Sequence, residues 1–223
     1  STSSRGLGDV YKRQILDRSM RVVTSITDVR TDAHEAGGYV QISGSITADE
    51  QSIYINEVRG GSMHGFYSGY HLRITYDGTE LARCEDPNGS GLYRNGRCVV
   101  APGGLLFCKG FVGFARENTE DDDQQDEGLD EIIALDAHSM QLRYRFGKSL
   151  FGSCFAASGG PGGSACGLAV VGEELFVCDR MNDRLQVFSL AGEHRRSVTG
   201  VWKQPSSLCV IKDRLYLVES HTN

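Results

Sequence analysis

Leu168-Ala169-Val170-Val171-Gly172-Glu173-Glu174-Leu175-Phe176-Val177-Cys178-Asp179 and Leu208-Cys209-Val210-Ile211-Lys212-Asp213-Arg214-Leu215-Tyr216-Leu217-Val218-Glu219 align without a gap at an offset of 40 residues. Each reads as a short apolar strand, a polar turn and a second apolar strand. The form recurs upstream in Val99-Val100-Ala101-Pro102-Gly103-Gly104-Leu105-Leu106-Phe107-Cys108, at an offset of 70 from the third copy. A first copy stands further up, where Ile42 to Ile46 and Ser52 to Asn56 flank the polar turn Thr47 to Gln51.

Each of the first three copies continues into a third alternating strand and a turn. These are Leu72 to Tyr76 with Asp77-Gly78, Glu131 to Leu135 with Asp136 to Ser139, and Arg184 to Phe188 with Leu190 to Glu193. A weaker fourth strand follows at Glu80 to Cys84, Gln141 to Phe146 and His194 to Val198. Four antiparallel strands per unit of about 40 residues is the signature of a β-propeller blade. No long segment has a helical period, so helix content is expected to be low. The expected fold is all-β, with blades over 38–85, 97–147 and 165–200 and an incomplete one over 204–223. Met20 to Ile26 reads as a stray strand.

The third unit resembles the NHL repeat. That family's pattern is an apolar strand ending in Asp, two variable residues, Asn, one variable residue, Arg, an alternating strand and a Gly turn. Asp179, Asn182, Arg184, Val187, Phe188 and Gly192 match it. The fourth unit begins the same way behind Pro205 and stops at Asn223, before the next Arg would stand. In the first unit Glu57 replaces the Asp, and the hairpin reads as swollen by Val58 to Tyr70. The resemblance implies six blades in a complete ring, of which this chain would supply an arc of about 3.5. Asp179, Asn182, Arg184 and Gly192 read as structural residues of the repeat. Asp and Asn can bracket a tight turn, and Arg184 can pair with Asp179 across it.

Asp9-Val10-Tyr11-Lys12-Arg13-Gln14 back-translates to GAT GTG TAT AAG AGA CAG, a string resembling the transposase end used in preparing sequencing libraries. Residues 1–14 are therefore set aside. This reading expects a chain cut at both ends, so the lack of a signal peptide says nothing of compartment. Without Arg5, Lys12, Arg13 and Asp9, the remaining 209 residues hold 20 basic and 28 acidic side chains, a net of −8. The run Glu117 to Glu131 holds nine carboxylates and no base, so the rest is near neutral. Such a run reads as a solvated loop. It fails as a calcium loop, because Asp121 to Asp126 lacks the glycine that the sixth position needs.

Seven cysteines, at 84, 98, 108, 154, 166, 178 and 209, contain no CxxC pair, and their odd number points to a reduced, intracellular setting. Cys108, Cys178 and Cys209 lie in apolar runs, where a thiol acts as a small buried hydrophobe. Cys98 to Ala115 holds Pro102, four glycines and Lys109, which suits two strands better than a membrane span. Gly160 to Ala165 satisfies GxGxxA by letter, but Pro161 interrupts it and a strand follows, so it reads as part of a Gly/Ser-rich connector over Lys148 to Ser164. The histidines form no HExxH motif and read as exposed loop residues.

The segment Arg59 to His71 reads as a Gly-rich aromatic loop in the first hairpin, and Arg59, His64, Tyr67, Tyr70 and His71 would suit a polar or anionic ligand. The function expected is a non-catalytic binding or scaffold module that recognises a protein partner through a rim or loop. RNA would want a basic face, which the −8 balance disfavours. No catalytic residue, metal ligand or cofactor is identified. The alternative, implied by related six-bladed propellers, is a metal-dependent hydrolase or lyase with its site in the central channel.

Overall fold

The computed structural model describes residues 13–16, 19–26, 39–60, 67–85, 97–112, 129–147, 165–212 and 214–219. Within them the chain is all-β, with one short 3-10 turn over Arg180–Asn182 as its helical element. A hairpin joins β1 (Arg13–Leu16) to β2 (Val22–Ile26). The first four-stranded sheet holds β3 (Tyr39–Ala48), β4 (Ile53–Gly60), β5 (Tyr67–Ile74) and β6 (Glu80–Glu85). The second holds β7 (Cys98–Ala101), β8 (Leu105–Val112), β9 (Leu129–Asp136) and β10 (Leu142–Phe146). The third holds β11 (Ala165–Val171), β12 (Glu174–Asp179), β13 (Arg184–Ser189) and β14 (His194–Thr199). A two-stranded sheet of β15 (Pro205–Ile211) and β16 (Arg214–Glu219) follows. Every four-stranded sheet is an antiparallel meander in chain order.

The sheets stack face to face, and this explains the apolar runs in their central strands. In β8, Leu106 and Cys108 pack towards Tyr54 of the first sheet, while Phe107 packs towards Leu175 and Val177 of the third. In β9, Ile133 and Leu135 join the former core, and Ile132 and Ala134 the latter. In β12, Cys178 turns the other way, onto Ala169, Leu185 and Leu208. Strands covered on both faces have no wet side on which to place polar residues. Each fully buried Leu, Ile or Phe contributes about 1.5–3 kcal/mol of transfer free energy. The outer strand β14 is instead exposed, and its Arg195 and Arg196 pair with Glu174 at 3.4 and 2.5 Å.

The first strands β3, β7, β11 and β15 contact one another in that order. They run alike: Val100 near the end of β7 donates its amide to Thr47 near the end of β3 (3.3 Å), and Gly167 early in β11 backs onto Ser207 and Leu208 early in β15. A Cβ at Gly167 would lie 2.8 Å from the Ser207 Cα, so only glycine permits this approach. The turns joining second to third strands therefore emerge together, at the end where β15 begins.

Several expectations are corrected. The first hairpin is not swollen from Val58: β4 and β5 stay paired out to Gly60 opposite Tyr67, and only 61–66 lie outside the described residues. His71 is not an exposed loop residue but is buried on β5. The single strand expected at Met20 to Ile26 is one arm of a hairpin, in which Arg13 and Gln14 stand opposite Ile26 and Ser25. The acidic run is not wholly a solvated loop, since Leu129–Asp136 is strand β9 and Glu131 is buried, 3.1 Å from Arg145. Cys108 and Cys178 are buried, yet Cys209 is exposed, because its face of the terminal sheet carries no described covering sheet. The connector 148–164 lies outside the described residues.

Candidate functional site

Asp179 ends β12 with no exposure to solvent. One carboxylate oxygen accepts from Asn182 Nδ2 at 2.7 Å; the other accepts from Arg184 Nε at 2.7 Å and Gln186 Nε2 at 3.2 Å. The turn bends back through Asp183, which holds a left-handed φ of 52°. Arg184 then stands directly opposite Asp179 in the β12–β13 register. Gln186 is fully buried, and its Oε1 contacts His194 Nε2 at 2.8 Å and accepts from Ser197 Oγ at 2.7 Å. A polar chain thus runs from the turn across β13 to β14. This placement stitches three strands together. Gly192, in the turn to β14, has a φ of 87°, and a Cβ there would meet the Phe146 ring at 2.9 Å.

The four described members of the other sequence-derived group are carried by strands. Arg59 lies near the end of β4, and Tyr67, Tyr70 and His71 lie on β5. Arg59 faces Ser68 in the register, Tyr70 faces Glu57 and Glu85, and His71 faces Asn56 and Cys84. His64 lies outside the described residues. Burial holds the His71 imidazole at a pKa of about 4, so it is neutral at physiological pH. Arg59, Tyr67 and Tyr70 occupy the part of the hairpin leading to its tip, while His71 belongs to the packed base.

The sheets are also joined by polar links that local pattern does not reveal. Arg73 of β5 donates to Ser52 Oγ at 2.8 Å and to the His138 carbonyl at 3.1 Å, in the β9–β10 turn. Asp136 begins that turn and accepts from the amides of His138 (3.1 Å) and Ser139 (2.7 Å) and from Arg143 (2.6 Å). The Ser139 amide first, and Arg143 with it, hold this carboxyl far below the usual carboxylate range. In the third sheet the one available signal for Gln186 was a polar residue inside the alternation of Arg184 to Phe188. Arg97, Arg180 and Trp202 had no such signal, and their surroundings come from three different sheets or connectors. Among the described residues, no three His, Cys, Asp or Glu side chains stand together as metal ligands. No described helix is long and apolar enough to cross a membrane.

No protein-family model matches the chain, and no curated protein is similar to it. Among solved structures, it is similar to a protein of unknown function from Bacteroides caccae, with a TM-score of 0.51 and 12% identity. That likeness covers 90% of this chain and spans 58% of the length of the other. A weaker likeness, with a TM-score of 0.32 and 7% identity, is to the computationally designed Ika8 protein, over 79% of this chain and 67% of that one. The first likeness is one of fold alone, and the stacked four-stranded sheets fit a β-propeller-like arrangement.

Proposed function

We propose that the chain is an arc of NHL-like β-propeller blades serving as a non-catalytic binding module, with a protein as its partner. The observation that carries this reading is the β4–β5 hairpin. Its strands stay paired to Gly60 and Tyr67, so it reaches well past the buried base at Ile53, Ile55, Leu72 and Ile74. It leaves the sheets at the same end as the β8–β9 hairpin, whose strands stay paired to Val112 and Leu129. Long hairpins on a packed scaffold are rigid supports for recognition side chains. Arg59, Tyr67 and Tyr70 offer a cation and two aromatic rings, residue types enriched where proteins bind one another.

The test uses the full chain, immobilised, beside a variant in which residues 59–68 are replaced by Asn-Gly. Retention of the same protein by the wild type, and its loss from both this variant and Tyr67→Ala/Tyr70→Ala, is the expected result. Equal retention by all three refutes the hairpin as the contact, and retention of RNA instead of protein refutes the partner class.

A further inference from the structure

Cys98 and Cys108 stand directly opposite each other in the β7–β8 register. The pairing then runs without a shift, with Val99 opposite Phe107, Val100 opposite Leu106 and Ala101 opposite Leu105. The pair on the other side is a hydrogen-bonded one, since the Lys109 amide donates to the Arg97 carbonyl at 2.8 Å. Opposed residues of an antiparallel ladder alternate between hydrogen-bonded and non-hydrogen-bonded pairs. Cys98 and Cys108 are therefore a non-hydrogen-bonded pair, the kind whose Cα atoms approach to about 4.5 Å and whose side chains lie closest. That separation falls within the range of about 4.4–6.8 Å that a disulfide spans.

Both side chains leave the sheet on one face. They are buried in the core between the first and second sheets, together with Tyr54, Leu106 and Cys84. Cys84 brings a third sulfur to this core from β6 of the first sheet. Burial raises the Cys108 thiol well above its usual pKa, and Cys98 and then Cys84 raise it further, because each is another ionisable sulfur within electrostatic reach. Cys84 is opposed in its own ladder by His71, so it shares no register with the other two. Of the three thiols, only Cys98 and Cys108 are held face to face by strand pairing.

We propose that Cys98 and Cys108 form a dithiol that a small disulfide, such as oxidised glutathione, closes into a cross-strand bond. One cysteine thiolate attacks the glutathione disulfide and releases one glutathione. The second cysteine sulfur attacks the resulting mixed disulfide and releases the other. The protein S–S bond forms as the glutathione S–S bond breaks, and two electrons and two protons pass from the cysteines to the two glutathione thiols. The new bond ties β8 to β7, the strand through which the second sheet meets β3 and β11. This site is independent of the partner surface on the β4–β5 hairpin.

Trypsin isolates the pair, because Arg97 precedes Cys98 and Lys109 follows Cys108, which leaves both cysteines on one peptide, 98–109. The full chain, reduced or oxidised beforehand in urea, is diluted into native buffer containing a series of ratios of oxidised to reduced glutathione. Approach from both sides keeps burial, which slows exchange, from biasing the end point. Remaining thiols are then blocked with N-ethylmaleimide in denaturant, and the peptides are weighed. The expected result is a 98–109 peptide two hydrogens short of its reduced mass and without maleimide, while the Cys84 peptide is not linked to it. Half-closure should need a ratio about tenfold or more lower in native buffer than in urea, because a bond that the fold accommodates is favoured by the fold. The closed protein should also melt higher, by about 5 °C. Maleimide or glutathione on both cysteines at every ratio in native buffer overturns the proposal. So does linkage of either one to Cys84, or half-closure at the same ratio in native buffer and in urea.

Discussion

Replacing Asp179 by Ala removes an acceptor from the middle of the third sheet. The carboxylate is buried and holds three donors: Arg184 Nε, Asn182 Nδ2 and Gln186 Nε2. The ion pair is the largest loss, at about 1.5–3 kcal/mol for a hydrogen bond to a charged group. Arg184 is 32% exposed and recovers part of this from water, as does Asn182. Gln186 cannot, because it is fully buried; its stranded amide adds about 1–3 kcal/mol. The expected destabilisation is about 3–5 kcal/mol, in line with breaking a buried pair by removing one partner. Arg184→Ala is expected to cost less, since Asn182 and Gln186 still solvate the carboxylate. The double variant should be less destabilised than the two single changes summed, by about 1 kcal/mol or more, because both remove one contact. Urea unfolding followed by circular dichroism measures all four proteins, with hydrogen exchange localising the loss to β12–β14. If Asp179→Ala lies within about 1 kcal/mol of wild type, or the pair is additive, then the network does not hold the turn.

Three further outcomes are expected. The folded-state pKa of His71, about 4, lies below the ordinary value of 6.5, so the unfolded chain binds the proton more readily. Its contribution is fully present above pH 6.5 and is lost as pH falls through 4, by up to about 3 kcal/mol; urea midpoints between pH 7 and 4 should fall less steeply in His71→Leu than in wild type. Gly167→Ala pushes a methyl into the Ser207 backbone and the Cys178 sulfur, both under 3.0 Å, and should cost about 1–3 kcal/mol; a Tm unchanged from wild type would show that β11 and β15 can part freely. Cys209 is exposed and should react with N-ethylmaleimide in the native protein, whereas Cys108 and Cys178 should label only after denaturation. Burial raises the Cys108 thiol pKa well above its usual value, which slows it further. Mass spectrometry of labelled peptides distinguishes the three sites.

The all-β class and the order of strands were legible because alternation is a local property. Strands at Val99–Cys108, Leu168–Asp179 and Leu208–Glu219 stand out by their apolar runs, and β7, β8, β11, β12, β15 and β16 occupy them. The acceptor Asp179 and its donors Asn182 and Arg184 lie within five residues of one another, so one turn brings them together. Burial was not legible, because a strand does not encode what packs on its face. Cys178 and Val218 hold the same place in two aligned repeats; the first is wholly buried against the terminal sheet and the second is 58% exposed. Gly-, His- and Tyr-rich Arg59 to His71 reads as a loop on composition, yet pairing between β4 and β5 makes most of it strand. Arg73 finds His138 65 residues away, and Arg97 finds Ser207 110 residues away. Neither meeting follows from spacing along the chain. Residue order alone set which segments extend and where they turn, because each strand's own alternation and turn residues decide that locally. Only the stacking of one sheet on the next decided which polar groups lost their water and what replaced it.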